Sequence, residues 1–187
     1  MKEKIRCFGT GDKLYEDYHD FEWGRPIHDD RSLFELLILE GAQAGLSWII
    51  VLRRRDSYRK AFDNFDVQKI ANYSQEKIEE LMLDAGIIRN HLKIKGAVTN
   101  AKLFIEIQKE YGSFDKFIWG FVGNNPIVGK WDDIKEIPIT TALSDNISKI
   151  LKKKGFKFVG STIIYSYLQA IGVINDHMVN CSYWDNE

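Results

Sequence analysis

Proline is scarce, with three in 187 residues. So few fixed-φ breakers leave little to interrupt helices, and long apolar-periodic segments lie between them. Cysteine is scarcer: Cys7 and Cys181 sit near opposite ends. Two thiols exclude a disulfide-dense scaffold, and in a cytosolic protein two buried, unreactive side chains are the plain expectation. No apolar stretch approaches membrane-spanning length, and MKEKIRC at the start lacks the pattern of a signal peptide. A cytoplasmic protein with no membrane partner is expected. Charge of one sign is also missing: 26 basic residues face 27 acidic ones, for a formal net of −1. Dedicated nucleic-acid binders are usually more basic. An enzyme needs one basic face rather than a basic whole, so that class stays open. No internal repeat or low-complexity tract is present.

What is there is apolar and aromatic. Hydrophobic residues make up 44% and charged residues 28%, the balance of a globular protein. The length suits one domain over 1–187, with room for two helical lobes flanking a pocket. Residues 29–46 read as a helix, with Ser32 and Glu35 at capping-box spacing and Asp29 and Asp30 as other caps. Residues 46–62 read as a second helix. Asp66 caps a third, Ser74 starts a fourth that stops at Gly86, and 89–111 is helical in period. Ser113 caps another through Val122; 120–138 reads as loop; helices resume at 141–154 and 160–171, the last ending at Gly172. No strand with clean alternation appears, so the fold class is all-α.

Four constellations could carry chemistry. Cys7 and His19 lie at one end, His177 and Cys181 four apart at the other. Two thiolates and two imidazoles suit a closed tetrahedral zinc site, although the spacing is not a finger pattern and ordinary thiols near two histidines remain the alternative. Leu37 lies three residues from Glu40, Leu36 and Ala44 four, and Leu33 seven. A carboxylate on or beside an apolar face is costly unless paired or functional; snorkelling at the edge of the face, or an arginine partner, is the plain alternative. Gln43 adds a second polar group one turn on. Tyr15, Tyr18, Trp23 and Trp48 are rings that would suit a flat cationic ligand or simply fill the core. Asp84 to Gly96, DAGIIRNHLKIKG, is a helical hairpin around Gly86 that can offer backbone N–H groups to a phosphate, with Arg89 and Lys93 nearby. Many helical hairpins look like this. The runs at 53–55 and 152–154, with Lys157, are solvated faces or phosphate contacts.

Together, YHDFEWG (18–24), LEGAQAGLSW (39–48), DAGIIRN (84–90), GFKFVGST (155–162) and NDHMVNC (175–181) resemble the DNA-3-methyladenine glycosylase I family, in order and over nearly the whole chain. The resemblance implies a helix-hairpin-helix glycosylase fold with a zinc ion joining the termini through Cys7, His19, His177 and Cys181. It implies Glu40 as the acidic pocket residue and Tyr18 and Trp48 as pocket aromatics that sandwich or abut the base. Trp23 falls in the same motif, and Tyr15 is a weaker match. The DNA-facing hairpin would use Gly86, Arg89 and Lys93. Phe8 directly follows Cys7, where the family commonly places an aromatic two residues after that cysteine, so Phe8 is expected to take that role from a shifted position. The implied activity is monofunctional excision of 3-methyladenine from double-stranded DNA by a monomer. No base-activating aspartate or amine nucleophile is evident. A non-catalytic zinc-stapled DNA-binding module, or a nuclease or lyase, are the competing classes.

Overall fold

The computed structural model describes residues 5–184. Ten α-helices dominate it: α1 Lys13–Phe21, α2 Asp30–Gln43, α3 Trp48–Leu52, α4 Arg55–Ala61, α5 Val67–Ala71, α6 Gln75–Leu83, α7 His91–Tyr111, α8 Phe114–Gly120, α9 Ala142–Lys154 and α10 Ser161–Ala170. Short 3-10 turns occupy Asp63–Phe65 and Ile134–Glu136. The mostly helical expectation holds. Among the described residues no helix is long and apolar enough to cross a membrane.

The helix starts follow from side-chain oxygens that accept otherwise orphaned N–H groups. Asp66 caps α5, Ser74 caps α6, Asn90 caps α7 and Ser113 caps α8. At α2 the cap is Asp29, which accepts from Ser32 N–H. The Ser32–Glu35 capping box does not form, because Glu35 turns instead to two arginines. The helix α1, capped by Asp12, had no clear sequence signal. The single helix expected over 46–62 is two. The chain turns at Arg53–Arg54, which lets Arg53 reach Asp12 while Arg55 reaches Glu22 and Glu35.

At the centre is α2. Ten consecutive residues, Leu33 to Ala42, are buried. A helix hidden on every side belongs inside a domain rather than on its surface. It packs against α3, α7, α8 and α10, and α7 in turn packs against α5, α6 and α8. Two short strands, β1 Ile127–Val128 and β2 Ile174–Asn175, pair in parallel, with Ile127 opposite Ile174. No alternation announced them, because two residues are too few to show a period.

The chain ends meet because segment 24–27 crosses the end of α10. Gly24 N–H donates to Gln169 O and Ile27 N–H to Ile171 O. Gly172 (φ +72°) makes room for this crossing: a Cβ there would lie 2.2 Å from the Arg25 carbonyl carbon. Only glycine fits that approach.

Candidate active site and terminal cysteine–histidine cluster

Glu40 sits in the last turns of α2 and is 4% exposed. Its Oε2 has no hydrogen-bond partner among the described residues, and no cation pairs with it there. Burial alone pushes its pKa up to about 8. The carboxyl is therefore mostly protonated at pH 7 in the free protein. It opens onto a cleft of about 330 Å³, lined also by Gln43 at the end of α2, by Gly45 and Leu46 in the turn beyond, and by Thr162, Ile163 and Ser166 of α10. The α10 wall was not singled out from sequence. Its residues lie over a hundred positions from Glu40, and only the packing of α10 on α2 joins them.

A continuous band of rings lies within electrostatic reach of Glu40, although none of them is among the residues that line the cleft. Tyr18 and Trp48 are in tilted contact with centroids 5.3 Å apart, and Tyr15 lies 6.5 Å from Tyr18. Tyr18 and Trp48 are buried, and Trp48 Nε1–H has no acceptor among the described residues. Burial, and then the nearby Glu40 charge, raise the hydroxyl pKa values of both Tyr15 and Tyr18. The contact between Tyr18 and Trp48 leaves no slot for a third ring between them. A base would abut this pair rather than enter it. Phe8 is the hub of the band, 4.9 Å from the rings of Tyr15, His19 and Trp23. Trp23 packs on the rings of His19 and His177.

The band therefore ends on the cluster that joins the termini. Ligand atoms of Cys7, His19 and Cys181 lie within 4.8 Å of one another. His177 is outside that group of three, but its ring is 4.8 Å from that of His19. The tautomers follow from the partners. His19 Nδ1–H donates to Asp20 Oδ1 at 2.9 Å, and its Nε2 accepts from Cys7 N–H at 3.2 Å. His177 Nδ1–H donates to Asn175 Oδ1 at 2.7 Å, which leaves a bare Nε2 3.4 Å from the carbonyl oxygen of His19. His19 Nε2 also lies 3.6 Å from Cys181 Sγ. Burial, with the neighbouring His19, lowers the His177 pKa to about 4, and burial raises the Cys7 thiol to about 12. Burial works to raise the Asp20 pKa, but bonds from Arg6, His19 and Tyr183 outweigh it and hold that carboxyl well below its usual range. Asp20 and Asn175 are the supporting residues that sequence reasoning missed; each is next to, or two from, a histidine.

The hairpin is the turn between α6 and α7. Gly86 N–H donates to Asp84 Oδ1, and a Cβ on Gly86 would meet Ser57 at 2.9 Å. Ile88 N–H donates to the buried Tyr58 hydroxyl at 3.1 Å. Arg89 is exposed. Lys93 is not turned outward: its Nζ donates to the carbonyls of Ala42 at 2.8 Å and Ala44 at 2.7 Å.

Known proteins carry the same chain plan. The methyladenine glycosylase family profile matches residues 8–184. DNA-3-methyladenine glycosylase 1 of Escherichia coli (strain K12) is 49% identical over 177 residues, covering 94% of this chain and 95% of that protein. A crystal structure of a 3-methyladenine DNA glycosylase I has a TM-score of 0.92 at 45% identity, covering 95% of this chain and 98% of the other. The enzyme from Staphylococcus aureus, described with the structural basis of its 3-methyladenine recognition, has a TM-score of 0.94 at 34% identity, covering 97% and 96%. With a matching profile over almost its whole length, the chain belongs to the methyladenine glycosylase family.

Proposed function

We propose that this protein is a DNA-3-methyladenine glycosylase that hydrolyses the bond between 3-methyladenine and deoxyribose in alkylated double-stranded DNA. The observation that carries the chemistry is a buried acid with no cation partner among the described residues, close enough to Tyr15 and Tyr18 for its charge to act on their hydroxyls. Such a site is incomplete until a flat, positively charged group enters it.

The damaged nucleotide must leave the stack, because its glycosidic bond is out of reach inside the duplex. The hairpin at 84–90, through Gly86, Arg89 and neighbouring backbone N–H groups, holds the DNA backbone in the manner of a helix-hairpin-helix element. The extruded base abuts Tyr18 and Trp48, with Tyr15 and Phe8 extending that wall and Trp23 tying it to the terminal cluster. Glu40 faces the base edge. A cationic base favours the ionised carboxylate, so Glu40 gives up its proton as the base arrives and then accepts hydrogen bonds from it. The bond from C1′ to N9 then breaks with its electron pair going to the base. This cancels the charge that methylation placed there. Water adds to the oxocarbenium carbon and loses a proton. Glu40 acts by recognition and electrostatics, and no strong general acid is needed.

The donor set at the termini fits a structural zinc ion: two sulfurs, and two imidazoles whose Nδ1–H groups are already committed to Asp20 and Asn175. Cys7, His19, His177 and Cys181 would hold it. The ion would supply a cross-link between the chain ends and stabilise the thiolate forms. A monomer with one domain suffices for all of these roles.

One assay tests the activity. Purified protein is incubated with methylated duplex, and free bases and strand breaks are measured separately. The parent releases 3-methyladenine without breaks, and Glu40→Gln slows release by about 100-fold or more. Equal rates for parent and variant overturn the role of Glu40. Breaks without added base or heat point to a lyase, and binding without release points to a non-catalytic module.

A further inference from the structure

Lys93 stands in the first turn of α7, where Asn90 caps its own N–H at 3.1 Å. Its ammonium does not face solvent as a phosphate contact would. It donates to the carbonyls of Ala42 and Ala44, at the end of α2 and in the turn beyond. No carboxylate pairs with it among the described residues, and burial lowers its pKa. A cation at a helix C-terminus satisfies orphan carbonyls and complements the helix dipole. No basic residue of α2 itself lies in its last turn to do this.

The location matters more than the cap. The turn held by Lys93 runs from Gln43 through Gly45 (φ +81°) and Leu46 to Trp48. It supplies half of the wall of the Glu40 cleft, then delivers Trp48 against Tyr18. The other end of the link is the hairpin. Lys93 lies three residues beyond it, and the hairpin is fixed from below by the Tyr58 hydroxyl. One side chain therefore spans from the hairpin's helix to the floor of the cleft.

We propose that Lys93 is a positioning residue that ties the seating of the 84–90 hairpin to the shape of the Glu40 cleft. The proposal rests on the glycosylase reading above, and its test separates the two. The parent is first shown to release 3-methyladenine; failure there removes the reading and not this link alone. Lys93→Met, which keeps the stem and loses the donors, is then compared with the parent at a temperature where both are folded. Free 3-methyladenine, which carries no phosphate, is titrated onto each. The expected result is a Kd about tenfold weaker in Lys93→Met. Its single-turnover excision at saturating DNA falls roughly 10- to 100-fold. The salt dependence of DNA binding keeps its slope, whereas loss of a phosphate contact would lower it by about 1. Lys93→Arg, with donors for the same carbonyls, recovers most of the base affinity, which a nonspecific packing defect would not allow. If Lys93→Met does not fold, Lys93→Gln carries the same comparison. Unchanged affinity for the free base overturns the proposal.

Discussion

Two glutamates on α2, five residues apart, are equally hidden and are treated in opposite ways. Glu35 is 6% exposed and Glu40 4%. Glu35 accepts from Arg55 Nε and from Arg59 Nη2 at 2.8 Å, while Arg55 is shared with Glu22. Among the described residues Glu40 has no cation partner, and one of its oxygens is orphaned. Desolvating a carboxylate is costly, and a matched guanidinium offsets that cost at Glu35. At Glu40 nothing among the described residues does. The start of α2 is finished as a fold element, whereas its end, in the function proposed, is completed by the ligand. Burial alone therefore does not mark the functional acid; burial without a partner does.

Asp20 extends the comparison to a third buried carboxylate, and to the largest expected effect. Its bonds from Arg6, His19 and Tyr183 knit the first helix to the chain end. If the cluster beside it holds zinc as proposed, elemental analysis finds about one equivalent per folded chain. The double change Cys7→Ser with Cys181→Ser then removes the metal and lowers stability by roughly 4 kcal/mol, a melting shift of roughly 10 °C. Less than about half an equivalent in the parent removes the four-ligand site.

At Glu40 the effect is smaller and of opposite sign. Its folded pKa, about 8, lies above the ordinary 4.5. Below pH 4.5 the group is neutral folded or unfolded, and it costs nothing. Between 4.5 and 8 the unfolded chain ionises first, so stability is lost by about 1.4 kcal/mol per pH unit. Above 8 the loss levels off. Glu40→Gln escapes this loss, so the variant is more stable than the parent by roughly 3 kcal/mol at pH 7 and by almost nothing at pH 4.5. Denaturant unfolding at several pH values checks this. A difference independent of pH would mean that Glu40 is solvated or paired after all. The same substitution that costs activity thus adds stability, the trade expected where a site is strained toward its ligand.

Much of this was legible in the sequence, for local reasons. Caps such as Asp66, Ser74 and Ser113 act within three residues, so they can be read without tertiary knowledge. Glu40 stood out because helical period alone put it at the apolar face. Period could not tell it from Glu35, whose partners come from α4, some twenty residues later. The same limit hid the role of Lys93. A lysine beside a helix start reads as a phosphate contact, and only packing brings it to α2 fifty residues back. It also hid the α10 wall of the cleft and the break at Arg53–Arg54, which serves ion pairs to distant acids. Helix α1, nine residues capped by Asp12, was missed because it is short and five of its positions carry charged or imidazole side chains.

The smallest effect gives the cleanest contrast between the glutamates. Glu35→Gln keeps the shape and one acceptor oxygen but leaves Arg55 and Arg59 facing an uncharged amide. Arg55 retains Glu22 and Arg59 is partly solvated, so the expected cost is only about 1–2 kcal/mol. One chemical change, Glu to Gln, on one helix and at equal burial, then has two signs at pH 7: loss at 35 and gain at 40. The two sites share no hydrogen-bond partner, so in the double variant the effects should add to within about 0.5 kcal/mol. Larger coupling would mean that the arginines at the start of α2 already act on the charge of Glu40. Two gains of the same sign would mean that Glu35, too, lacks an adequate partner, and the distinction drawn from its two arginines would fall.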